Sequence, residues 1–239
     1  MTGGAWSNFG LSAPDASYLN ATFDVYDIQF EQSTHRTPYT NSSRSNTQAI
    51  IDLTGKNIIT STSLTYSASN AFSFSGADSI TTPYTAALNF DIGQTIVIWL
   101  LPSENDAARR NPYNQAYGGG GTITHESDGA FNYFCGTAGT NTTPYIGHTS
   151  NFTVNINEMA CITLTRSLTS ISWYKNGVFG NSVTNPYGNC VTGAAPIIIG
   201  AGYVSNYIGN LPVVLLYNRA LTASEVRQNF NALRGRYGI

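Results

Sequence analysis

The chain has 239 residues, 41% of them hydrophobic, 12% aromatic and only 10% charged, with a formal net charge of −2. A chain of this length can bury a substantial core, and an all-β fold of this size is often one domain. The sparse charge leaves no basic footprint for nucleic acid and no polybasic patch for a membrane surface, while the apolar content is too high for a disordered chain.

From the N-terminus, residues 1–22 are polar, Gly-rich and without period. They open with MTGGAWSNFGLSAPD, which has neither the basic region nor the apolar core of a secretory signal. This segment is either a first strand with a ragged lead or an arm whose Trp6, Phe9, Leu11 and Tyr18 dock on a neighbouring subunit. The expected organisation is therefore an arm at 1–22 and one domain at 23–239, since no linker and no repeat divides the rest. Synthesis in a reducing cytosol is expected, so the sequons at Asn20, Asn41, Asn141 and Asn151 carry little weight. Cys135, Cys161 and Cys190 are odd in number and lack CxxC spacing, which suits buried free thiols.

Strand-like runs then recur between Gly, Asn, Ser and Pro clusters: Ala71–Phe74, Thr95–Leu101, Thr122–His125, Ala130–Cys135, Phe152–Ile156, Ala160–Arg166, Ser170–Lys175, Pro196–Ile199 and Val213–Tyr217. Short strands with regular turn signals predict a sandwich or barrel. Thr95–Leu101 is apolar on both faces and reads as a central strand covered twice; its Ile96–Leu101 run is far too short to span a bilayer. Ala160–Arg166 alternates, with Ile162 and Leu164 on one face and Cys161, Thr163 and Thr165 on the other, which predicts one covered side. Trp99 and Trp173 are expected in the core with bonded indole N–H groups. Asn176-Gly177, between alternating runs, predicts a type I′ hairpin that serves as a corner of the scaffold. Near the C-terminus, Thr222 and Glu225 form a capping box and Leu221 with Val226 a hydrophobic staple. Val226, Phe230 and Leu233 then share a helical face, with Gly235 placed to end the helix.

Catalytic patterns are weak. Thirteen acids are present, without an E-x-D-x-E arrangement. Glu126 and Asp128 fall in a turn before Gly129, where carboxylates are usually solvated. His35, His125 and His148 read as solvated or turn histidines, with no G-x-S-x-G elbow nearby. The run Tyr117 to Gly121, YGGGG, lacks the Lys-Ser/Thr of a phosphate cradle and reads as a flexible turn.

Several segments resemble, in order, the concanavalin A-like, laminin-G-like jelly-roll superfamily: DLTGKN (52–57), FSFSGADSI (72–80), TIVIWLLPS (95–103), WYKNGV (173–178), IIIGAGY (197–203) and LLYNRALTASEVRQNF (215–230). The resemblance spans about residues 50 to 239. The N-terminal quarter departs from the pattern, because ATFDVYDIQF (21–30) only approximates the usual first strand. NPYNQAYGGGGTITHESDGAFNYF (111–134) and the final YNRALTASEVRQNFNALRGRYGI are similar to a subgroup of tailed-phage virion proteins, marine and cyanophage ones especially. The resemblance implies a single jelly-roll β-sandwich, all-β, of two antiparallel sheets with a short C-terminal helix.

It also implies a non-enzymatic structural protein on the virion exterior: a capsid decoration protein first, a tail or fibre component second. Its partners would be capsid or tail proteins and further copies of itself, without nucleic acid, membrane or cofactor. The alternative is a carbohydrate-binding adsorption protein for host surface glycans. Its candidate residues are Tyr113, Asn114 and Gln115, then Asn141 and Tyr145, then Asn185, Tyr187 and Asn189. No metal is called for. Laminin-G-like modules sometimes hold calcium at the sandwich rim, and the oxygen clusters available are Glu104/Asn105/Asp106, preferred, and Asp24/Asp27.

Overall fold

A computed structural model of the protein describes residues 59–62, 64–66, 71–106 and 108–239. The expected arm at 1–22 with Trp6, Phe9, Leu11 and Tyr18 lies outside them, as do Asp24, Asp27 and His35. In chain order the first described strands are β1 (Thr60–Thr62), β2 (Thr65–Tyr66), β3 (Phe72–Ser75), β4 (Ser79–Thr82), β5 (Gln94–Pro102), β6 (Arg109–Asn114) and β7 (Thr122–Glu126). Then follow β8 (Ala130–Gly136), β9 (Tyr145–Thr153), β10 (Ala160–Arg166), β11 (Ser170–Lys175), β12 (Val178–Thr184), β13 (Ile197–Ile199), β14 (Ser205–Asn206) and β15 (Ile208–Tyr217). One helix, α1 (Ala223–Tyr237), closes the chain.

These strands build two sheets. An eight-stranded sheet runs β1-β4-β13-β6-β7-β8-β9, with β14 beside β6; a seven-stranded sheet runs β12-β11-β10-β5-β15-β3-β2. Pairing along both paths is antiparallel, and only the short β14 lies parallel to its neighbour. Period-2 alternation explains how the sheets face each other. On β8, Phe131, Tyr133 and Cys135 point to the core, as do Ile162 and Leu164 on β10 and Ile171 and Trp173 on β11. Phe131 and Trp173 meet across the layers at 6.2 Å between ring centroids. Each large apolar side chain removed from water here contributes about 1.5–3 kcal/mol. This is the jelly-roll sandwich that the sequence implies.

The NG hairpin forms as expected. Asn176 and Gly177 have φ of 51° and 73°, the left-handed pair that a type I′ turn requires, and Trp173 on the strand before the turn is buried. Helix α1 carries the complete capping box between Thr222 and Glu225. It does not stop at Gly235. It continues to Tyr237, and Gly238 in the left-handed region ends it with its N–H bonded to the Arg234 carbonyl. The extension is useful, since Tyr237 reaches Trp99 at 4.9 Å while Phe230 stacks on the same indole at 5.6 Å.

That helix explains a second difference. Cys161, Thr163 and Thr165 on β10 are buried rather than solvated, so both faces of β10 are covered, like those of β5. Val97, Trp99, Cys161 and Phe230 form a separate small core under α1. The expected strand Phe152–Ile156 is displaced: β9 ends at Thr153, and the Val154 N–H turns to the Gly129 carbonyl. Trp173 donates its indole N–H to the His148 carbonyl at 3.1 Å, as expected. Trp99 is fully buried too, but its Nε1 has no hydrogen-bond partner among the described residues.

Candidate functional site

The alternation that sends Phe131, Tyr133 and Cys135 inward on β8 sends Asn132 and Phe134 to the opposite face of the eight-stranded sheet. Across β9, Phe134 lies opposite Gly147, and a Cβ there would sit 2.7 Å from the Phe134 ring, so the glycine makes room for it. Three tyrosines gather around this phenylalanine. Tyr145 begins β9, two residues before Gly147, and meets Phe134 at 6.1 Å. Tyr203, from the connection between β13 and β14, meets it at 6.4 Å. Tyr117 joins both tyrosines, at 5.1 Å from Tyr145 and 4.8 Å from Tyr203.

Each ring is fixed by the backbone that carries it. Tyr117 lies in the Gly-rich turn, which is not a loose one. Its glycines at 118–120 are buried, and a Cβ on Gly118 would stand 1.8 Å from the Thr142 carbonyl oxygen. Glycine is required there by close approach of another backbone. The Gly118 N–H donates to the Thr140 carbonyl and the Tyr117 N–H to the Asn141 side chain, both near 3 Å. Tyr203 is held through the Val204 N–H, which donates to Asn111 Oδ1 at 3.0 Å.

Polar groups line the same face. Arg109 lies opposite Glu126 in the β6–β7 register, 3.4 Å from it, and its guanidinium sits 5.7 Å from the centre of the Phe134 ring. It also donates to the Tyr203 hydroxyl at 3.5 Å, and burial pushes that phenol's pKa up, keeping it neutral. Asn132 accepts from the Thr149 hydroxyl and Glu126 from the Thr124 hydroxyl. Tyr145 is 42% exposed, and Tyr117, Tyr203, Phe134 and Arg109 are partly open. The result is an aromatic surface edged by amide, hydroxyl and guanidinium groups with almost no net charge.

Of the sugar-binding candidates, Tyr145 and Asn141 belong to this face. Tyr113 does not: it points into the core, where its hydroxyl accepts from Gln94 and donates to Gln115. Gln115 is fully buried, donating to the Leu88 carbonyl, and Asn114 is buried accepting from Thr122. Side chains without an exposed face offer no platform for stacking. RRNPYN is a strand whose register shifts between Arg110 and Tyr113, around Pro112, and Gln115 follows it directly. Tyr187 and Asn189 lie on the connection from β12 to β13, where Asn185 braces the turn by donating to the Ser167 and Gly188 carbonyls. Sequence reasoning missed Tyr117, Phe134, Tyr203 and Arg109. Phe134 was within reach, because an aromatic sharing the parity of Asn132 on a predicted strand must face outward.

Other expectations change as well. Glu104 and Asp106 converge on the Arg110 guanidinium, which stands where a calcium ion would have to be. No group of three or more metal-ligating side chains occurs among the described residues. Neither His125 nor His148 is solvated. His125 stacks on Phe131 with Nε2 3.1 Å from the Val154 carbonyl, and burial lowers the pKa of both. Asp128 accepts the Ala130 N–H and so fastens its own turn. An open, largely apolar groove of about 410 Å³ lies by Ile92, Leu168 and Arg219, whose guanidinium is already held by both Glu225 oxygens.

Comparison with curated protein sequences finds no match. Among solved structures, the binding domain of Paraclostridial Mosquitocidal Protein 1 matches with a TM-score of 0.63 at 21% identity, over 76% of this chain and 49% of that one. Domain 4 of AbnA, an extracellular arabinanase from Geobacillus stearothermophilus, solved with arabinotriose, matches at TM-score 0.58 and 17% identity, over 74% and 90%. A botulinum neurotoxin type C structure, described with its dependence on two ganglioside molecules for cell entry, matches at 0.58 and 11%, over 74% and 46%. The chain spans about half the length of the toxin binding domains it matches. At these identities the likeness is one of fold. A family model, Laminin_G_3, matches residues 74–227, and the chain thus belongs to the concanavalin A-like lectin/glucanase superfamily.

Proposed function

We propose that this domain is a non-catalytic carbohydrate-binding module, with the outer face of the eight-stranded sheet as its recognition surface. The observation that carries this reading is the cluster of Tyr117, Tyr145, Tyr203 and Phe134, open on one side and edged by Arg109, Glu126, Asn132 and Thr149. A pyranose or furanose presents apolar C–H faces and a rim of hydroxyls. The rings pack on the first and the polar groups hydrogen-bond the second, without a charged substrate being required. The arabinanase domain solved with arabinotriose and the neurotoxin tied to gangliosides support a glycan as ligand. Catalysis is not expected, because the acids on this face are already engaged. Glu126 is tied to Arg109 and Thr124, and Asp128 to its turn, whereas a retaining glycosidase needs two free carboxyls about 5 Å apart.

A second reading concerns where the module works. The likeness of residues 111–134 and of the C-terminal segment to tailed-phage virion proteins supports the virion exterior, as a capsid decoration protein or a tail or fibre component. Exposed Val178 and Phe179 on edge strand β12 suit packing against capsid, tail or another copy. In that setting the arm at 1–22, through Trp6, Phe9, Leu11 and Tyr18, is proposed to dock on the particle. A glycan array read beside a capsid-rebinding assay separates the readings. Glycan binding by isolated chain supports the module, and rebinding lost on deletion of residues 1–20 supports the virion role. Silence on the array together with capsid binding would overturn the carbohydrate reading.

A further inference from the structure

The core holds a second chemical feature that the aromatic face does not use. Cys135 on β8 and Cys190 on the connection from β12 to β13 bring their sulfurs to 3.0 Å, inside the core. The backbone beside them is already joined, since the Val191 N–H donates to the Gly136 carbonyl at 2.9 Å and the Cys190 N–H to the Asp91 carbonyl at 3.1 Å. Arg166 stands close by, fully buried. Its Nε donates to Tyr133 at 3.1 Å and its other nitrogens to the Asp91 and Phe90 carbonyls, and among the described residues it has no carboxylate partner.

From this geometry we infer that Cys135 and Cys190 form a redox clasp: free thiols in a reducing compartment that close to a disulfide once the chain meets a peroxide. Closure would tie the connection between the two sheets to β8. The same connection packs beneath Gly119 and Gly139, in the segments that carry Tyr117 and lead to Tyr145. The Cys135 thiol, and after it the Arg166 guanidinium, favour a thiolate on Cys190 despite burial. Thiolate is the form that reacts. Cys190 Sγ attacks one peroxide oxygen, the O–O bond breaks, and a sulfenic acid forms while the released hydroxide takes up a proton as water. Cys135 Sγ then displaces the hydroxyl from Cys190 Sγ, giving the S–S bond and a second water. Two thiols lose two protons and two electrons, and hydrogen peroxide is reduced to two waters. Access is short, because Asn189 and Val191 on either side of Cys190 are exposed. Cys161, buried under α1, is the internal control.

The test is a thiol count. Full-length chain, reduced and then treated with dilute hydrogen peroxide, is unfolded in guanidinium with N-ethylmaleimide and weighed by mass spectrometry. The clasp predicts a fall from three adducts to one, the survivor on Cys161, with a 135–190 cross-linked peptide that separates on reduction. The bridged chain should melt roughly 5–10 °C above the reduced one, as expected for a bridge closing a loop of this length. Cys190→Ser should keep two adducts and show no shift. Three adducts after peroxide, loss of Cys161 in step with the pair, or a bridge that leaves melting unchanged would each overturn the clasp.

Discussion

Two tryptophans with the same burial make different demands. Trp173 gives its indole N–H to the His148 carbonyl, whereas Trp99 Nε1, between β5 and α1, has no partner among the described residues. Truncating Trp173 to Ala should cost about 3–5 kcal/mol in denaturant unfolding, the usual scale for a buried aromatic. Replacement by Phe separates the pair more sharply. Trp173→Phe strands the His148 carbonyl and should destabilise by about 1–2 kcal/mol more than Trp99→Phe, which removes an unsatisfied donor; equal losses would contradict the assignment. His125 supplies a pH test. Burial holds its pKa below the ordinary 6.5, so the unfolded chain takes up a proton that the folded chain refuses. Its contribution to stability is complete above pH 6.5 and is lost as pH falls below it, levelling off under the folded-state pKa. His148 is lowered by the same cause and adds to the slope. Melting temperature should decline between pH 7 and 5, and His125→Phe should flatten that decline; a melting temperature that rises on acidification would contradict burial of a neutral imidazole.

Among the elements, α1 was legible in nearly every part. Its capping box could be read from Thr222 and Glu225, and its buried face from Val226 and Phe230. Thr222→Ala should cost about 1 kcal/mol through the lost cap. Phe230→Ala should cost more, roughly 3 kcal/mol, because it uncovers Trp99; urea unfolding of both variants checks the order. Gly235 misled because a glycine in an exposed last turn costs little, and among the described residues nothing lies within 4 Å of where its side chain would be. The bounds of β10 and β11 were legible to the residue, since turn chemistry is local, but the second covered face of β10 was not, because α1 supplies it from a distant part of the chain. β6 was not legible. RRNPYN has two arginines, a proline and no branched residues, and it becomes a central strand only because β13 and β7 flank it. That tertiary override buried Tyr113, Asn114 and Gln115 rather than leaving them open at a binding surface. The cluster of Tyr117, Tyr145 and Tyr203 was illegible for a related reason. Their separation in sequence says nothing until the Gly-rich turn, β9 and the connection after β13 are folded over one sheet.

At the scale of the whole molecule, the outer faces of the two sheets are covered differently. The outer face of the seven-stranded sheet is covered by α1, whose Phe230 and Tyr237 pack on Trp99. On the eight-stranded sheet the corresponding aromatics stay partly open, carried by a strand, a turn and a connection held by backbone N–H groups that donate to carbonyls and to the Asn141 and Asn111 side chains. An aromatic surface already in place incurs little ordering cost when it takes a ligand. The most direct measurement is calorimetric titration of an oligosaccharide selected on the glycan array into wild-type chain, Tyr145→Ala and Tyr187→Ala. Losing one stacking contact should weaken binding by about 1–3 kcal/mol, by analogy with aromatic stacking on nucleobases. Tyr145→Ala should therefore bind roughly 5- to 150-fold more weakly, while Tyr187→Ala matches wild type and both variants melt near the wild-type temperature. Undiminished binding by Tyr145→Ala, or a loss confined to Tyr187→Ala, would contradict the account and move the recognition surface to the connection between β12 and β13.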